Sequence, residues 1–385
     1  MERAYDVVLM GATGFTGGLT ADYLAARMPA DGRWALAGRD RSRLEELRDR
    51  LGVDVPLLRA DVTDPDSLRD LASSTRVVAT TVGPYVDYGE GLVAACAEAG
   101  TDYADLTGES EFVDLMYVKY HARAAETGAR IVHACGFDSI PHDLGVYFTL
   151  QQLPSGLPTH VSGYVQAKGT ISGGTYQSAI TAFSHRREAA RVHRERRRAE
   201  PSPEGRRARA VAGRPHRNAG LGVWALPLPT IDPDVVRRSA VALEAYGPDF
   251  SYSHFAAVRH LSSAAALTAG AAGLVAATQV PPVRSWLLGR VQPGQGPTAE
   301  QRAKSWFSVH FAAEAGGQKV ITKVCGGDPG YGETAKMLAE SAMALAFDDL
   351  PKTAGQVTTA EAMGDALLSR LQQAGMVFTV LGRRP

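Results

Sequence analysis

Apolar and polar positions divide this chain into a first half of short apolar runs, each followed by a segment with helical spacing, and a second half of longer alternating runs. Residues 6–10 (Asp6-Val7-Val8-Leu9-Met10) form a run short enough for a buried strand, and the segment behind it carries Leu19, Tyr23 and Leu24 at helical intervals. That helix ends near Met28-Pro29, and residues 34–38 read as a second strand. Residues 41–51 set Leu44, Leu47 and Leu51 among charges, the pattern of a surface helix. Further strands are predicted at 55–60, 76–82, 101–106 and 130–134, and further helices through Leu68 and Leu71 and over 90–99, 113–127 and 144–150. Strand and helix alternate throughout, which predicts an α/β fold with a doubly wound parallel sheet.

Past residue 150 the rhythm changes. A strand is predicted at 159–167, then a turn over 169–174 and a long helix opened by Thr175-Tyr176-Gln177-Ser178. Strands at 305–315 and 318–324 are joined by Gly316-Gly317, two glycines between alternating runs being a hairpin signal. Helices at 334–347 and 359–373 and a strand at 376–381 follow. The stripe Met337, Leu338, Ala342 and Leu345 is a core face.

The chemistry begins where the first strand meets the first helix, at Gly11-Ala12-Thr13-Gly14-Phe15-Thr16-Gly17. A strand running into a glycine-punctuated turn and then a helix leaves backbone N–H groups at the positive end of a helix dipole, where a diphosphate is held. Gly11 permits the tight turn, Gly14 lets the backbone approach the phosphates, and Gly17 lets the helix pack closely on the strand. Arg39 follows the second strand and Arg43 lies one helical turn on, so guanidinium groups stand where a 2′-phosphate is recognised and NADP(H) is expected over NAD. Asp40, one residue late for a ribose-binding carboxylate, is the opposing feature. Asp61 and Val62, at the end of the third strand, are expected to border the adenine, while Asp64 before Pro65 reads as a helix N-cap. Thr81, Val82, Gly83 and Pro84 are expected on the nicotinamide half, with the Tyr85 hydroxyl beside them as a catalytic candidate and packing in a loop as its alternative. The turn after residues 130–134 adds Gly136 and Phe137 to the cofactor contacts. There Ser139 is a second catalytic candidate, though Asp138 or Ser139 also suits a helix cap. Thr175 and Tyr176 complete the catalytic candidates as donors to a substrate carbonyl, with capping the alternative for Thr175. His133 lies in an apolar strand and His142 in the polar turn, and neither is assigned a role.

Composition narrows the picture further. A chain of 385 residues, 45% hydrophobic and 21% charged, is an ordinary globular balance with room for two domains. Its 41 basic and 41 acidic residues balance, against a nucleic-acid-binding role. Cys96, Cys135 and Cys325 are too few and scattered for a zinc site or a disulfide framework, so no metal is predicted and a reducing, cytoplasmic compartment is expected. Glu2, Arg3 and Asp6 leave no room for the apolar region of a signal peptide.

The glycine turn, Leu36-Ala37-Gly38-Arg39, Val82-Gly83-Pro84-Tyr85, Tyr103-Ala104-Asp105-Leu106-Thr107-Gly108-Glu109 and Cys135-Gly136-Phe137-Asp138-Ser139-Ile140-Pro141 together resemble the saccharopine dehydrogenase-like oxidoreductases. Within that group the chain is most similar to the actinobacterial trans-acting enoyl reductases. The likeness resumes at Gly294-Gln295-Gly296-Pro297, Arg302-Ala303-Lys304-Ser305-Trp306-Phe307 and Gly326-Gly327-Asp328-Pro329-Gly330-Tyr331 and runs to Ala362-Met363-Gly364. It implies a Rossmann domain over 1–145 and an α+β domain with a mainly antiparallel sheet over 146–350, which carries the substrate and any homodimer contact. A helix and strand over 351–385 then close the fold. The implied reaction is NADPH-dependent reduction of an α,β-unsaturated acyl group on a polyketide or lipid-type substrate, held by a separate synthase or acyl carrier protein. An imine or amino-acid dehydrogenase of the saccharopine type and a non-catalytic NADP-binding scaffold are the alternatives.

Two segments stand apart. Between Arg186 and Arg217 twelve arginines face four glutamates, which reads as a solvated helix and mobile linker or as a dock for an acidic carrier protein or anionic lipid. Residues 261–283 carry no charge and are expected to form a buried or interfacial helix. Peripheral membrane contact or the wall of an acyl tunnel is the alternative, and a membrane span is disfavoured by mild hydropathy and Pro281-Pro282.

Overall fold

A computed structural model describes residues 3–169, 186–201, 203–278, 280, 282–283 and 296–384. Thr175 and Tyr176, the expected turn beyond residue 169, and Gly294-Gln295 lie outside the described residues.

Among the described residues two sheets carry the fold. The first is built from β1 (Tyr5–Met10), β2 (Trp34–Gly38), β3 (Leu57–Arg59), β4 (Thr75–Thr80), β5 (Asp102–Ala104), β6 (Arg130–Val132) and β14 (Gly355–Val357). All of its strands pair parallel, in the order β14-β6-β5-β4-β1-β2-β3. A parallel sheet is covered on both faces, and β1 shows what that demands of sequence. Val7 and Leu9 enter one core while Val8 and Met10 enter the other, and all four are buried. β5 and β6 stop short of the predicted ends because the next residues turn the backbone: Cys135 N–H donates to Asp105 O and Ala134 has a positive φ of 59°.

The second sheet comprises β7 (Thr159–Lys168), β8 (Arg207–Ala210), β9 (His216–Asn218), β10 (Val223–Pro227), β11 (Asp249–Val258), β12 (Trp306–Ala315), β13 (Gln318–Gly326) and β15 (Val377–Arg384). Its order is β15-β13-β12-β7-β11-β10-β9, with β8 beside β11. Only β7 and β8 run parallel to β11 among these pairings. Gly316 and Gly317, with φ of 56° and 87°, make the predicted hairpin between β12 and β13.

The two sheets share a core. Phe307, Val309, Phe311 and Ala313 of β12 point to the same side as Phe250 and Tyr252 of β11 and meet the helix Ile140–Leu150. Gly145 admits the Phe311 ring there, since a Cβ would lie 2.4 Å from it. The helix Gly332–Phe347 returns to the first sheet, burying Met337, Leu338, Ala342 and Leu345 in the core that holds Val7 and Leu9. Residues 1–145 therefore do not cover that face by themselves.

The two unusual segments differ from expectation. The arginine-rich stretch is not a solvated helix and mobile linker throughout: after the helix Arg186–Ala199 it supplies β8 and β9. Arg196 is only 2% exposed because Asp114 at 2.6 Å and Glu200 at 2.7 Å meet its guanidinium, and Tyr117 lies beneath it. A charge count along the chain does not see such pairing. Helix Leu261–Thr278 forms as predicted but is not buried: Leu261 is 59% and Leu267 46% exposed. No helix among the described residues is long and apolar enough to cross a membrane.

Candidate active site

The phosphate cradle is assembled from β1, the glycine turn and the helix Phe15–Arg27. Gly11 turns the chain with φ of 84°, and Gly14 N–H donates to Gly11 O at 3.0 Å. Gly14 is also the helix N-cap and offers no side-chain acceptor, so the first-turn amides of Phe15, Thr16 and Gly17 have no side-chain cap. A Cβ at Gly17 would lie 2.1 Å from Gly11 O, so only glycine brings the helix this close to the turn. Uncapped amides at a helix N-terminus behind a side-chain-free turn fit an anionic diphosphate.

The adenosine side resolves the competition between Arg39 and Asp40. The Asp40 carboxylate caps helix Arg41–Leu51, accepting from Arg43 N–H at 3.1 Å, which turns it to helix capping while Arg39 stays exposed. Arg43 Nη2 donates to Thr13 O at 3.0 Å, tying the second strand's tip to the cradle. Asp61 accepts from Thr63 N–H and Oγ1, and these bonds, with Arg39 nearby, hold its carboxyl below the usual range. Val62 is partly buried beside it.

On the other side of the cradle Thr81 Oγ1 donates to Gly11 O at 3.1 Å, and Val82 leads into a cis Gly83-Pro84 bond. Tyr85 is placed differently from a catalytic donor. Its hydroxyl is buried, donates to Thr80 O at 3.2 Å and accepts from Leu106 N–H at 3.1 Å. Burial and the Asp105 carboxylate hold its proton in place. Tyr85 therefore braces the turn rather than facing a substrate. Glu109, unassigned by sequence, accepts from the N–H groups of Tyr85 and Val86 and so caps the short helix Tyr85–Tyr88.

The turn after β6 is organised by the buried Asp105, whose carboxylate accepts from Tyr103 Oη, Thr107 N–H and Ala134 N–H and meets His133 Nδ1 at 2.7 Å. Cys135 is fully buried, and burial pushes its thiol up, as suits a small apolar side chain. Gly136 fits tightly, with a Cβ 2.9 Å from Leu106 and 3.1 Å from Thr334. Phe137 N–H donates to Thr334 Oγ1 at 3.2 Å, and its ring packs on Phe307 and on His142. Ser139 is the N-cap residue of helix Ile140–Leu150 but makes no cap bond, and its buried Oγ has no protein partner. Asp138 does not cap that helix either: burial pushes its carboxyl up to about 6.

The second half of the chain closes over the cradle. Tyr331 packs edge-on against Phe15 at 4.9 Å, Arg302 lies over the same ring, and a Cβ at Gly296 would touch it at 2.3 Å. Sequence reasoning did not link Arg302 or Tyr331 to the cradle, although both belong to motifs it singled out. It also missed a buried group behind Phe137, formed by His142, Asp232 and His254. A cavity of about 570 Å³ opens at the opposite edge of the first sheet, near Arg76, Asp102 and Arg130, where the strands begin. In doubly wound folds ligands sit at the other edge, where the strands end, so this cavity is not the cofactor crevice.

A parallel seven-stranded nucleotide fold with an uncapped glycine turn and a guanidinium at the tip of β2 defines an NADP(H)-binding oxidoreductase. Residues 7–132 match the saccharopine dehydrogenase NADP binding domain family. The chain is 39% identical to the trans-acting enoyl reductase of Mycobacterium tuberculosis and 37% identical to that of Mycobacterium ulcerans, in both cases over 98% of each chain. It belongs to the trans-acting enoyl reductase family. Its fold is also that of the apo L-Glu-forming saccharopine dehydrogenase of Saccharomyces cerevisiae, with a TM-score of 0.56, 12% identity and coverage of 98% of this chain and 99% of that one.

Proposed function

We propose that this protein is an NADPH-dependent enoyl reductase that acts in trans on an α,β-unsaturated acyl chain carried by a separate synthase or acyl carrier protein. The observation that carries the reading is the near-full-length kinship with trans-acting enoyl reductases, joined to a cradle whose amides and guanidiniums suit NADPH. NADPH, when bound, would supply the hydride for the β-carbon. Charge then develops on the acyl carbonyl oxygen, and a proton reaches the α-carbon.

This chain's residues position the reactants and stabilise that charge. The amides of Phe15, Thr16 and Gly17 hold the diphosphate, which Gly14 lets approach, while Arg39 and Arg43 hold the 2′-phosphate. Asp61 and Val62 border the adenine; Val82, Gly83, Pro84, Gly136 and Phe137 border the nicotinamide. Ser139, with its unpartnered hydroxyl, and Thr175 and Tyr176 are the proposed carbonyl donors. Arg194, Arg197 and Arg198 stay exposed on helix Arg186–Ala199 and form the proposed dock for an acidic carrier protein. Leu261 and Leu267 are where a peripheral membrane contact would form.

The test is NADPH consumption with a crotonyl-type thioester on pantetheine and on an acyl carrier protein. Turnover favouring the carrier-bound form and weakening with salt supports the reading. NADPH binding without oxidation by any unsaturated acyl thioester would sink it, and oxidation with an imine or oxo acid would favour the saccharopine-type alternative.

A further inference from the structure

We propose that His142, Asp232 and His254 form a binding site for a divalent transition-metal ion of the zinc class. The three come from separate elements: the first turn of helix Ile140–Leu150, the start of helix Asp232–Ala242, and β11. Their side chains are 2%, 3% and 1% exposed, and one donor atom from each lies within 4.8 Å of the other two. Two imidazoles and one carboxylate are a donor set that zinc, cobalt and ferrous iron accept.

The separations decide between a hydrogen-bonded trio and a metal-ligand set. His142 Nε2 lies 3.4 Å from Asp232 Oδ1, and His254 Nε2 lies 3.6 Å from Asp232 Oδ2. An imidazole bonded directly to a carboxyl group closes to about 2.7–3.2 Å. Two ligands each about 2.0–2.1 Å from one tetrahedral ion stand about 3.3–3.4 Å apart, the spacing of His142 Nε2 from Oδ1. His254 faces Oδ2, the other oxygen of the same carboxylate, so the three donors draw in from within 4.8 Å around an ion. Consistent with this, Asp232 Oδ1 and His254 Nε2 have no hydrogen-bond partner although both are buried. A buried polar atom without a partner is destabilising, and a bound cation satisfies both atoms at once.

The surroundings hold the donors as metal ligands are held. Tyr252 Oη bonds His254 Nδ1 at 2.8 Å, which fixes the ring and turns Nε2 toward Asp232, and Thr230 Oγ1 donates to Asp232 Oδ2. Gly163 makes room for that tyrosine hydroxyl, since a Cβ there would lie 2.3 Å from it. No lysine or arginine among the described residues pairs with Asp232. With no such side chain paired to it, the Asp232 carboxylate is left for a cation to meet.

The full-length protein, stripped with a chelator, is titrated with Co²⁺ and then Zn²⁺, with metal content measured by elemental analysis. One Co²⁺ per chain, visible absorption of tetrahedral intensity and displacement by Zn²⁺ are expected. Tyr252→Phe, which keeps the fold and the three donors, weakens the affinity by about tenfold or more. Asp232→Asn and His254→Gln abolish the absorption, with circular dichroism reporting whether each has folded. Absence of equimolar metal in the wild-type protein, both as isolated from zinc-supplemented medium and after the titration, overturns the proposal, as does unchanged affinity in a folded Asp232→Asn protein. These readouts do not depend on enoyl reduction, so metal uptake without turnover counts against the proposed function alone.

Discussion

Replacing Gly17 by alanine tests the cradle at its tightest point. The new Cβ would lie 2.1 Å from Gly11 O and 2.8 Å from Thr81 Oγ1, and the first of these is backbone that no rotamer change can move. Two effects oppose each other. Alanine in a helix interior is favoured over glycine by about 1 kcal/mol, whereas overpacking against a fixed neighbour costs about 1–3 kcal/mol. With the obstruction in the main chain the upper end applies, leaving a net destabilisation of about 2 kcal/mol. The helix N-terminus must also retreat from the diphosphate, and a similar loss in binding corresponds to about a thirtyfold weaker NADPH complex. Gly18 is the internal control, because its Cβ would meet nothing nearer than 3.9 Å. Gly18→Ala should therefore gain about 1 kcal/mol and bind NADPH normally. Urea unfolding and NADPH calorimetry on both variants decide the matter. A Gly17→Ala protein that binds NADPH within about threefold of wild type and is stabilised like Gly18→Ala would refute the reasoning.

Arg39→Ala should weaken NADPH binding by about tenfold or more, the range of a charge-assisted hydrogen bond, and leave NADH unchanged; cofactor fluorescence titration reads the split. Tyr85→Phe removes the donor to Thr80 O and strands the partly buried Leu106 N–H, so unfolding should show a loss of about 1–3 kcal/mol while single-turnover hydride transfer at saturating NADPH stays intact. The hydrogen bond to Asp114 raises the His193 imidazole above its ordinary 6.5, so this pair's stabilisation is complete below that pH and is lost as pH rises through the raised value. Asp114 stays ionised over that window, since His193 and Arg196 outweigh its burial and hold its carboxyl low. Denaturation at about pH 5.5 and about pH 8.5 should show a drop that His193→Gln abolishes.

What could be read along the chain was what lies close together along it. The cradle is one continuous stretch in which Gly11 and Gly17 answer local steric demands and Gly14 leaves the turn without a side chain, and β1 announces itself because every residue from Val7 to Met10 must be apolar on both faces. Arg39 favoured NADP(H) over NAD along the chain, and Asp40 opposed it only because a carboxylate beside a cofactor and one capping a helix look alike until Arg43 N–H is seen to take it. Tyr85 misled for a related reason: a hydroxyl at a strand end suits chemistry, but its partners Thr80 and Leu106 come from two different strand ends. The His142, Asp232 and His254 group left no trace in spacing because three separate elements deliver it. The arginine-rich stretch looked solvated because Asp114, the buried carboxylate that neutralises Arg196, belongs to a distant helix.

The late return of the chain to the first sheet has a bearing on how the protein is made. Helix Gly332–Phe347 covers the face of β1, β4 and β5, and β14 extends the edge beyond β6. A nascent chain leaving the ribosome has therefore exposed most of the cofactor-binding half long before the pieces that shelter it are synthesised. Until helix Gly332–Phe347 and β14 have emerged, that greasy surface must be shielded by chaperones or by transient collapse, and a polypeptide truncated before residue 330 should aggregate rather than accumulate as a working nucleotide-binding fragment.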